Sequence, residues 1–212
     1  MNKTYIWDLD GTLLDSYDVI VDSLSILYKE RFDIDLNKKE LRAEVIKYSV
    51  GHFLSRMEKE TGVLFQDLKE RYSAISGERK LQIKAMEHSI EILNYLKEQG
   101  IHSYVFTHRG VTTEPVLRNI NMYDYFDEIV TSVQPFKRKP SPEAINYLVD
   151  KYHLDKEHTY YVGDRSMDME CAKSAGIKGI MYLPKDGYGL KTGKEDYIIE
   201  NLLEIKNIIH LL

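Results

Sequence analysis

The chain has 212 residues, enough for one sizeable core with a small second domain, and its 43% hydrophobic and 30% charged residues exclude disordered and fibrous proteins. A net charge of -5 excludes proteins that bind nucleic acid non-specifically through a basic surface. No apolar run approaches the roughly 18 residues of a membrane span, and the N-terminus lacks the apolar segment typical of a signal peptide. The single cysteine, Cys171, fits a reducing compartment, so we expect a cytoplasmic protein that binds neither membrane nor nucleic acid.

Five short apolar segments along the chain predict β-strands. They are Thr4–Trp7, His102–Phe106, Glu128–Thr131, Thr159–Val162 and Gly179–Leu183. None alternates cleanly between apolar and polar residues, which is typical of strands that are covered on both faces. Segments with helical periodicity lie between them. This alternation predicts an α/β fold with a doubly wound, Rossmann-like parallel sheet and helices on both faces.

An unusually long interval separates the first two predicted strands. From Thr12 to Thr107 there are about 60 residues more than the roughly 30 that a βαβ crossover needs. The surplus predicts an inserted helical subdomain at residues 16–84. Its predicted helices are Val19–Arg31, Lys38–Tyr48, Phe53–Thr61 and Phe65–Ser76, punctuated by Gly51, Gly62 and Gly77.

Two aspartates, Asp8 and Asp10, follow the first predicted strand. Residues two apart on a strand project to the same side, and Gly11 allows a tight turn after them. Two adjacent carboxylates are costly to bury without a counter-charge, and a hard cation such as Mg²⁺ prefers oxygen ligands. The pair by itself is also typical of an ordinary acidic turn.

Two further aspartates follow the fourth predicted strand. Asp164 and Asp168 come after Gly163 and are four residues apart, so they would share the first turn of a helix that began there. Such carboxylates either ligate a cation or stabilise the helix N-terminus through its dipole. The spacing alone leaves both explanations open.

Polar residues also follow the second and third predicted strands. Thr107, His108 and Arg109 come directly after the second, and Lys139 lies in a proline-containing loop after the third. Alone, Thr107 could cap a helix and the basic loop could be a solvated linker. Because ligands of a doubly wound sheet bind at the carboxyl ends of its strands, the four groups together predict one site. Their carboxylates, hydroxyl and lysine suit a phosphoryl group with its magnesium ion.

The four groups resemble the motifs of the haloacid dehalogenase-like superfamily of phosphohydrolases, in their order and spacing. The matching residues are Asp8, Asp10 and Thr12 in the first motif, Thr107 in the second, Lys139 with Pro140 and Pro142 in the third, and Gly163, Asp164 and Asp168 in the fourth. The insert resembles the helical cap of the branch that includes phosphoglycolate phosphatases and β-phosphoglucomutases. The resemblance implies a cap domain at residues 16–84 and an α/β core at residues 1–15 plus 85–212.

The resemblance implies catalytic roles for four of these residues. Asp8 would be the nucleophile that forms an aspartyl phosphate. Asp10 would protonate the leaving oxygen and then deprotonate the water that hydrolyses the intermediate. Thr107 and Lys139 would bind the phosphoryl oxygens as charge develops.

The resemblance also implies Mg²⁺ as the cofactor. The metal site would comprise Asp8, Asp10, Asp164 and Asp168. Of these, Asp8 and Asp164 would use their carboxylates and Asp10 its backbone carbonyl. Asp168 would orient water ligands or Lys139.

Two histidines are further candidates for substrate binding. His108 directly follows Thr107, and His52 lies in a segment that resembles the cap loop that meets substrate in this branch. His52 could instead cap or pack a helix turn.

The function that this pattern predicts is a Mg²⁺-dependent phosphatase that acts on a small organic phosphoester, such as phosphoglycolate or a sugar phosphate. Asp10 favours phosphate chemistry over dehalogenation, because the resembling dehalogenases lack the second aspartate. Two alternatives stay open: a phosphomutase of the β-phosphoglucomutase type, and a regulatory phospho-acceptor that does not turn over. We expect a monomer or homodimer whose partner is a small phosphorylated metabolite.

Overall fold

The structure, a computed structural model, describes residues 3–185 and 191–210. The chain forms two compact units, Met1–Asp15 with Ala85–Leu212, and Ser16–Lys84. The strands are β1 (Thr4–Trp7), β2 (Leu14–Asp15), β3 (Lys84–Ala85), β4 (His102–Phe106), β5 (Glu128–Val130), β6 (Thr159–Gly163), β7 (Lys178–Tyr182) and β8 (Tyr197–Ile199). The helices are α1 (Tyr17–Phe32), α2 (Lys38–Lys47), α3 (Val50–Thr61), α4 (Phe65–Arg79), α5 (Ser89–Glu98), α6 (Thr113–Asn119), α7 (Glu143–Tyr152), α8 (Ser166–Ala175) and α9 (Ile205–Ile209).

The first unit is built on a six-stranded sheet in the order β5-β4-β1-β6-β7-β8. All neighbouring strands are parallel, and Thr4 of β1 lies opposite His102 of β4 on one side and Thr159 of β6 on the other. The chain builds the sheet outward from β1 through β4 to β5, and then crosses over to β6. The order therefore reverses at β1, which places a ligand crevice at the carboxyl ends of β1, β4 and β6. The predicted α/β fold with a parallel sheet is confirmed.

The strands differ from their predicted bounds by one residue at several ends. Glu128–Thr131 ends one residue earlier, Thr159–Val162 extends to Gly163, and Gly179–Leu183 is shifted by one residue. The edge strand β8 is absent from the prediction, because three residues are too few to show a hydrophobic period.

Helices α7 and α8 pack against one face of the sheet. Their apolar residues form a buried cluster with side chains of β1, β4, β5 and β6, and Cys171 of α8 is part of it. Burial raises the pKa of the Cys171 thiol to about 12, so this cysteine is an inert core residue. Helix α7 begins at Glu143 with Pro142 as its N-cap.

The second unit consists of α1 to α4 around its own apolar core. Gly62 ends α3 with a left-handed φ of 74°. The expectation that Gly51 and Gly77 break helices is wrong, since they lie inside α3 and α4. A glycine within a helix costs only about 1 kcal/mol, which packing of the flanking apolar residues offsets. Within the described ranges, none of the helices has the length and apolarity that a bilayer crossing requires.

Candidate active site

The first site residues lie at the carboxyl end of β1. Asp8 is buried, and its backbone N–H donates to the carbonyl of Val162 at 2.9 Å, which continues the pairing with β6. Gly11 then turns the chain with a φ of 84°, a conformation that favours glycine. The carboxylate of Asp10 forms an ion pair with Arg109, which follows β4. The two aspartates of the first motif therefore have different partners.

The carboxyl end of β6 supplies Asp164 and Asp168, both buried. Helix α8 begins only at Ser166, so Asp168 alone lies in its first turn, where its Oδ2 accepts the backbone N–H of Arg165 at 3.1 Å. A Cβ on Gly163 would lie 2.5 Å from the Asp168 carboxyl group. Glycine at that position is therefore what allows Asp168 to fold back over the end of the strand.

Lys139 contacts one carboxylate of the first motif and one of the fourth. Its Nζ lies 2.8 Å from Oδ1 of Asp8 and 2.8 Å from Oδ1 of Asp168, and its side chain is 0% exposed. The rings of Phe106 and Tyr161 lie 5.3 and 5.2 Å from the ammonium group, within cation–π range. Two carboxylates and two aromatic rings thus fix one positive charge beside Asp8.

Thr107 and His108 continue from the end of β4. Thr107 is buried, and its hydroxyl accepts the backbone N–H of Arg109 at 3.1 Å. It does not cap the next helix, because α6 begins at Thr113. Nε2 of His108 accepts the backbone N–H of Lys139 at 2.8 Å. His108 therefore holds the Lys139 loop in place, and its contact with substrate stays a prediction.

The same burial makes His108 a source of pH-dependent stability. Burial, with the nearby charges of Lys139, Arg138 and Arg165, lowers the pKa of His108 to about 2. Below about pH 6.5 the unfolded chain takes up a proton at this histidine, whereas the folded chain does not until about pH 2. The contribution of His108 to the free energy of unfolding therefore decreases as the pH is lowered through that window.

We predict that between pH 7 and pH 5 His108 accounts for a loss of about 2 kcal/mol in the free energy of unfolding. Urea titrations of wild type and His108→Gln at both pH values measure it, with His52→Gln, which removes an exposed imidazole, as the control. Equal pH dependence in wild type and His108→Gln would contradict this assignment.

Three carboxylates come together where a cation could bind. Asp8, Asp164 and Asp168 each offer an oxygen, and these oxygens lie within 4.8 Å of one another. Oδ2 of Asp8 is buried and makes no hydrogen bond to the described residues, although Nη2 of Arg165 lies 3.9 Å away. A buried acceptor among oxygen donors fits a hard divalent cation. The carboxylate of Asp10 is not one of this trio.

Opposing effects act on the buried pair of Asp8 and Lys139. Burial raises the pKa of Asp8, against the attraction of the Lys139 ammonium group. Burial lowers the pKa of Lys139, but the carboxylates of Asp168 and Asp8 outweigh it and the net shift is upward. Lys139 is therefore charged at neutral pH, and a cation at the carboxylates would favour the ionised form of Asp8 in the same way.

Sequence reasoning missed two residues that organise the site. The Tyr161 hydroxyl donates to the carbonyl of Phe106 at 2.9 Å and lies 3.4 Å from Oδ1 of Asp168, so it joins the ends of β4 and β6. Arg165 occupies a variable position within the fourth motif and approaches Asp8. No sequence signal separates Tyr161 from the other fifteen of the chain's 16 tyrosines, because its role depends on strand neighbours.

His52 lies in the second unit, in the first turn of α3. Its backbone N–H donates to the Ser49 hydroxyl at 3.2 Å, its ring stacks on Tyr48 with centroids 4.7 Å apart, and half of its side chain is exposed. A role in substrate binding stays a prediction for this residue.

Curated relatives and a solved structure are similar to this chain over nearly its whole length. A phosphoglycolate phosphatase of Nitrosospira multiformis is 28% identical over 98% of this chain and 95% of its own length. Pyrophosphatase PpaX of Oceanobacillus iheyensis is 25% identical over 98% of this chain and 96% of its own. A crystal structure from Haemophilus somnus, described as a predicted phosphoglycolate phosphatase, superposes with a TM-score of 0.85 at 23% identity and covers 98% of this chain and 97% of that one.

One family model matches most of this chain, from within β1 to the end of β7. The model of the haloacid dehalogenase-like hydrolases matches residues 5–182, a range that includes all four motifs. The resemblance seen in the sequence is thus confirmed, and the chain belongs to the haloacid dehalogenase-like hydrolases.

Proposed function

We propose that this haloacid dehalogenase-like phosphatase uses Mg²⁺ to hydrolyse a small organic phosphoester, phosphoglycolate-like or sugar-phosphate-like, through an aspartyl phosphate on Asp8. The observation that carries the proposal is the contact of one buried lysine with two carboxylates, Asp8 and Asp168, beside a third, Asp164. The similarity to a phosphoglycolate phosphatase and a pyrophosphatase supports the same class of chemistry.

Two observations support Asp8 as the nucleophile. It lies at the topological switch point, and its Oδ1 is fixed by Lys139 at 2.8 Å while Oδ2 makes no hydrogen bond to the described residues. Attack on phosphorus would form the acyl phosphate and break the bond to the leaving oxygen. Lys139 and Thr107 would neutralise and orient the phosphoryl oxygens, since this reaction depends on positioning and charge.

Asp8, Asp164 and the Asp10 backbone carbonyl would hold Mg²⁺, and Asp168, which contacts Lys139, would orient that lysine or water ligands of the ion. The ion would neutralise charge on the phosphoryl group.

Asp10 would donate a proton to the leaving oxygen and then accept one from the attacking water. Its carboxylate lies two residues after the nucleophile and is oriented by Arg109. A proton passes from Asp10 to the leaving oxygen in the first step and returns to it from water in the second, so the enzyme is regenerated. A phospho-acceptor that does not turn over does not require an acid–base carboxylate such as Asp10.

The proposal is tested with purified protein, MgCl₂ and a panel of phosphorylated metabolites that includes 2-phosphoglycolate and β-glucose-1-phosphate. We expect catalytic release of inorganic phosphate. Isomerisation of the sugar phosphate without free phosphate would instead indicate a mutase, and stoichiometric phosphorylation that stops after one turnover would indicate a phospho-acceptor.

Removal of divalent cations is expected to lower phosphate release roughly a hundredfold, because Lys139 would then be left to offset the charge of three buried carboxylates and of the phosphoryl group without the metal ion. EDTA treatment followed by a phosphate-release assay measures the loss, and excess MgCl₂ should restore the rate. Full activity after EDTA and exhaustive dialysis would contradict the metal role.

A further inference from the structure

Arg109 is a cation at the site that the four motifs do not include. Its Nη2 contacts the Asp10 carboxylate and its Nη1 donates to the Thr112 hydroxyl at 3.2 Å. Its backbone N–H donates to the Thr107 hydroxyl at 3.1 Å, and its carbonyl accepts the backbone N–H of Ser132 at 3.0 Å. The side chain is only 10% exposed, so both ends of the residue are fixed.

The cations of the site differ in the carboxylate that each one approaches. Lys139 and Arg165 approach the nucleophile Asp8, which meets the phosphoryl group. Arg109 contacts Asp10 instead, and in the proposed function Asp10 protonates the leaving oxygen. In the proposed function, the guanidinium group that contacts Asp10 therefore lies on the leaving-group side of the site.

A guanidinium is suited to bind an anion at that position. It carries five N–H donors in a planar fork, so one arginine can contact a carboxylate, a hydroxyl and a bound anion together. Hydrogen bonds between charged groups are stronger than neutral ones, most of all in a site with little water. A neutral leaving group cannot form such a charge-assisted hydrogen bond with Arg109.

We propose that Arg109 makes the site selective for phosphoesters whose leaving group carries its own negative charge, a carboxylate or a second phosphoryl group, within a few atoms of the scissile oxygen. The inference rests on the proposed function and narrows its substrate class. Small anionic phosphoesters and diphosphates are then favoured over phosphates of neutral sugars.

The test compares two esters that differ in one charge, 2-phosphoglycolate and its neutral amide, 2-phosphoglycolamide. The quantity measured is the ratio of their kcat/KM values in wild type and in Arg109→Gln. We expect the ratio to favour 2-phosphoglycolate in wild type and to fall about tenfold or more in the variant. A ratio cancels effects common to both esters, such as a displaced Asp10. Inorganic pyrophosphate as a third substrate distinguishes a second phosphoryl group from a carboxylate.

Matched variants show whether the effect belongs to Arg109. Arg118→Gln removes an exposed arginine of α6 and is expected to keep the wild-type ratio. Arg165→Gln removes the cation beside Asp8 and is expected to slow both esters alike. A similar fall of the ratio in Arg165→Gln would indicate general electrostatics and overturn the proposal.

Arg109→Lys keeps the charge, so it is expected to retain most of the selectivity and provides the test if the glutamine variant does not fold. Loss of selectivity in Arg109→Lys as complete as in Arg109→Gln would contradict recognition by charge. An unchanged ratio in Arg109→Gln, with both esters still hydrolysed by wild type, would overturn the inference and leave the phosphatase proposal standing. Failure of wild type to hydrolyse any phosphoester would overturn the phosphatase proposal itself.

Discussion

Asp8→Asn is expected to abolish phosphate release, with kcat reduced about a thousandfold or more, because an amide oxygen is a poor nucleophile toward phosphorus. The substitution keeps the shape of a side chain that is 1% exposed, and Lys139 keeps its contact with Asp168. The fold should therefore persist, which circular dichroism and a thermal melt can establish. Steady-state phosphate release under saturating substrate measures the loss.

The control for this variant is Asp150→Asn, which makes the same change on the exposed side of α7. It is expected to leave kcat and KM as in wild type. Wild-type turnover by a folded Asp8→Asn protein would remove Asp8 as the nucleophile.

Lys139→Met is expected to lower the free energy of unfolding by about 3–5 kcal/mol and to eliminate activity. The substitution removes the charge but keeps an unbranched chain, so Asp8 and Asp168 would remain buried without their counter-charge. Breaking a buried ion pair by removing one partner costs this much because the remaining charge is not solvated. Urea unfolding followed by tryptophan fluorescence of Trp7, the single tryptophan, reports on β1 directly.

Lys137→Met provides the comparison for this prediction. Lys137 lies two residues away, is 78% exposed and pairs with Glu143 at 2.7 Å, so its loss should change stability by at most about 1 kcal/mol. Equal stability of the Lys137 and Lys139 variants would show that the buried pair does not contribute as the geometry indicates.

The sheet was predictable because its strands are short apolar segments followed by polar residues. Thr4–Trp7 and His102–Phe106 have the predicted bounds, and all their residues except His102 are buried, as expected for strands that are covered on both faces. The edge strand Tyr197–Ile199 is apolar as well, but three residues are too few to show a hydrophobic period. Its position depends on pairing with β7, which local sequence does not encode.

The carboxylates and the lysine of the site were predictable because these residues occur in motifs of characteristic order and spacing that follow predicted strands. The parts that motifs do not contain depend on tertiary neighbours. The ion pair of Arg109 with Asp10 joins residues far apart in the chain, and so does the bond from Lys139 to His108. Neither partner could be named from residue type and spacing alone.

The claim that Asp8 carries the phosphoryl group is tested most directly by trapping the intermediate. Borohydride reduces an acyl phosphate of aspartate to homoserine, so protein quenched during turnover and treated with borohydride can be mapped by peptide mass spectrometry. We predict homoserine at position 8, dependent on both substrate and Mg²⁺. Unmodified Asp8 during active turnover, or modification of a different carboxylate, would show that Asp8 is not the nucleophile.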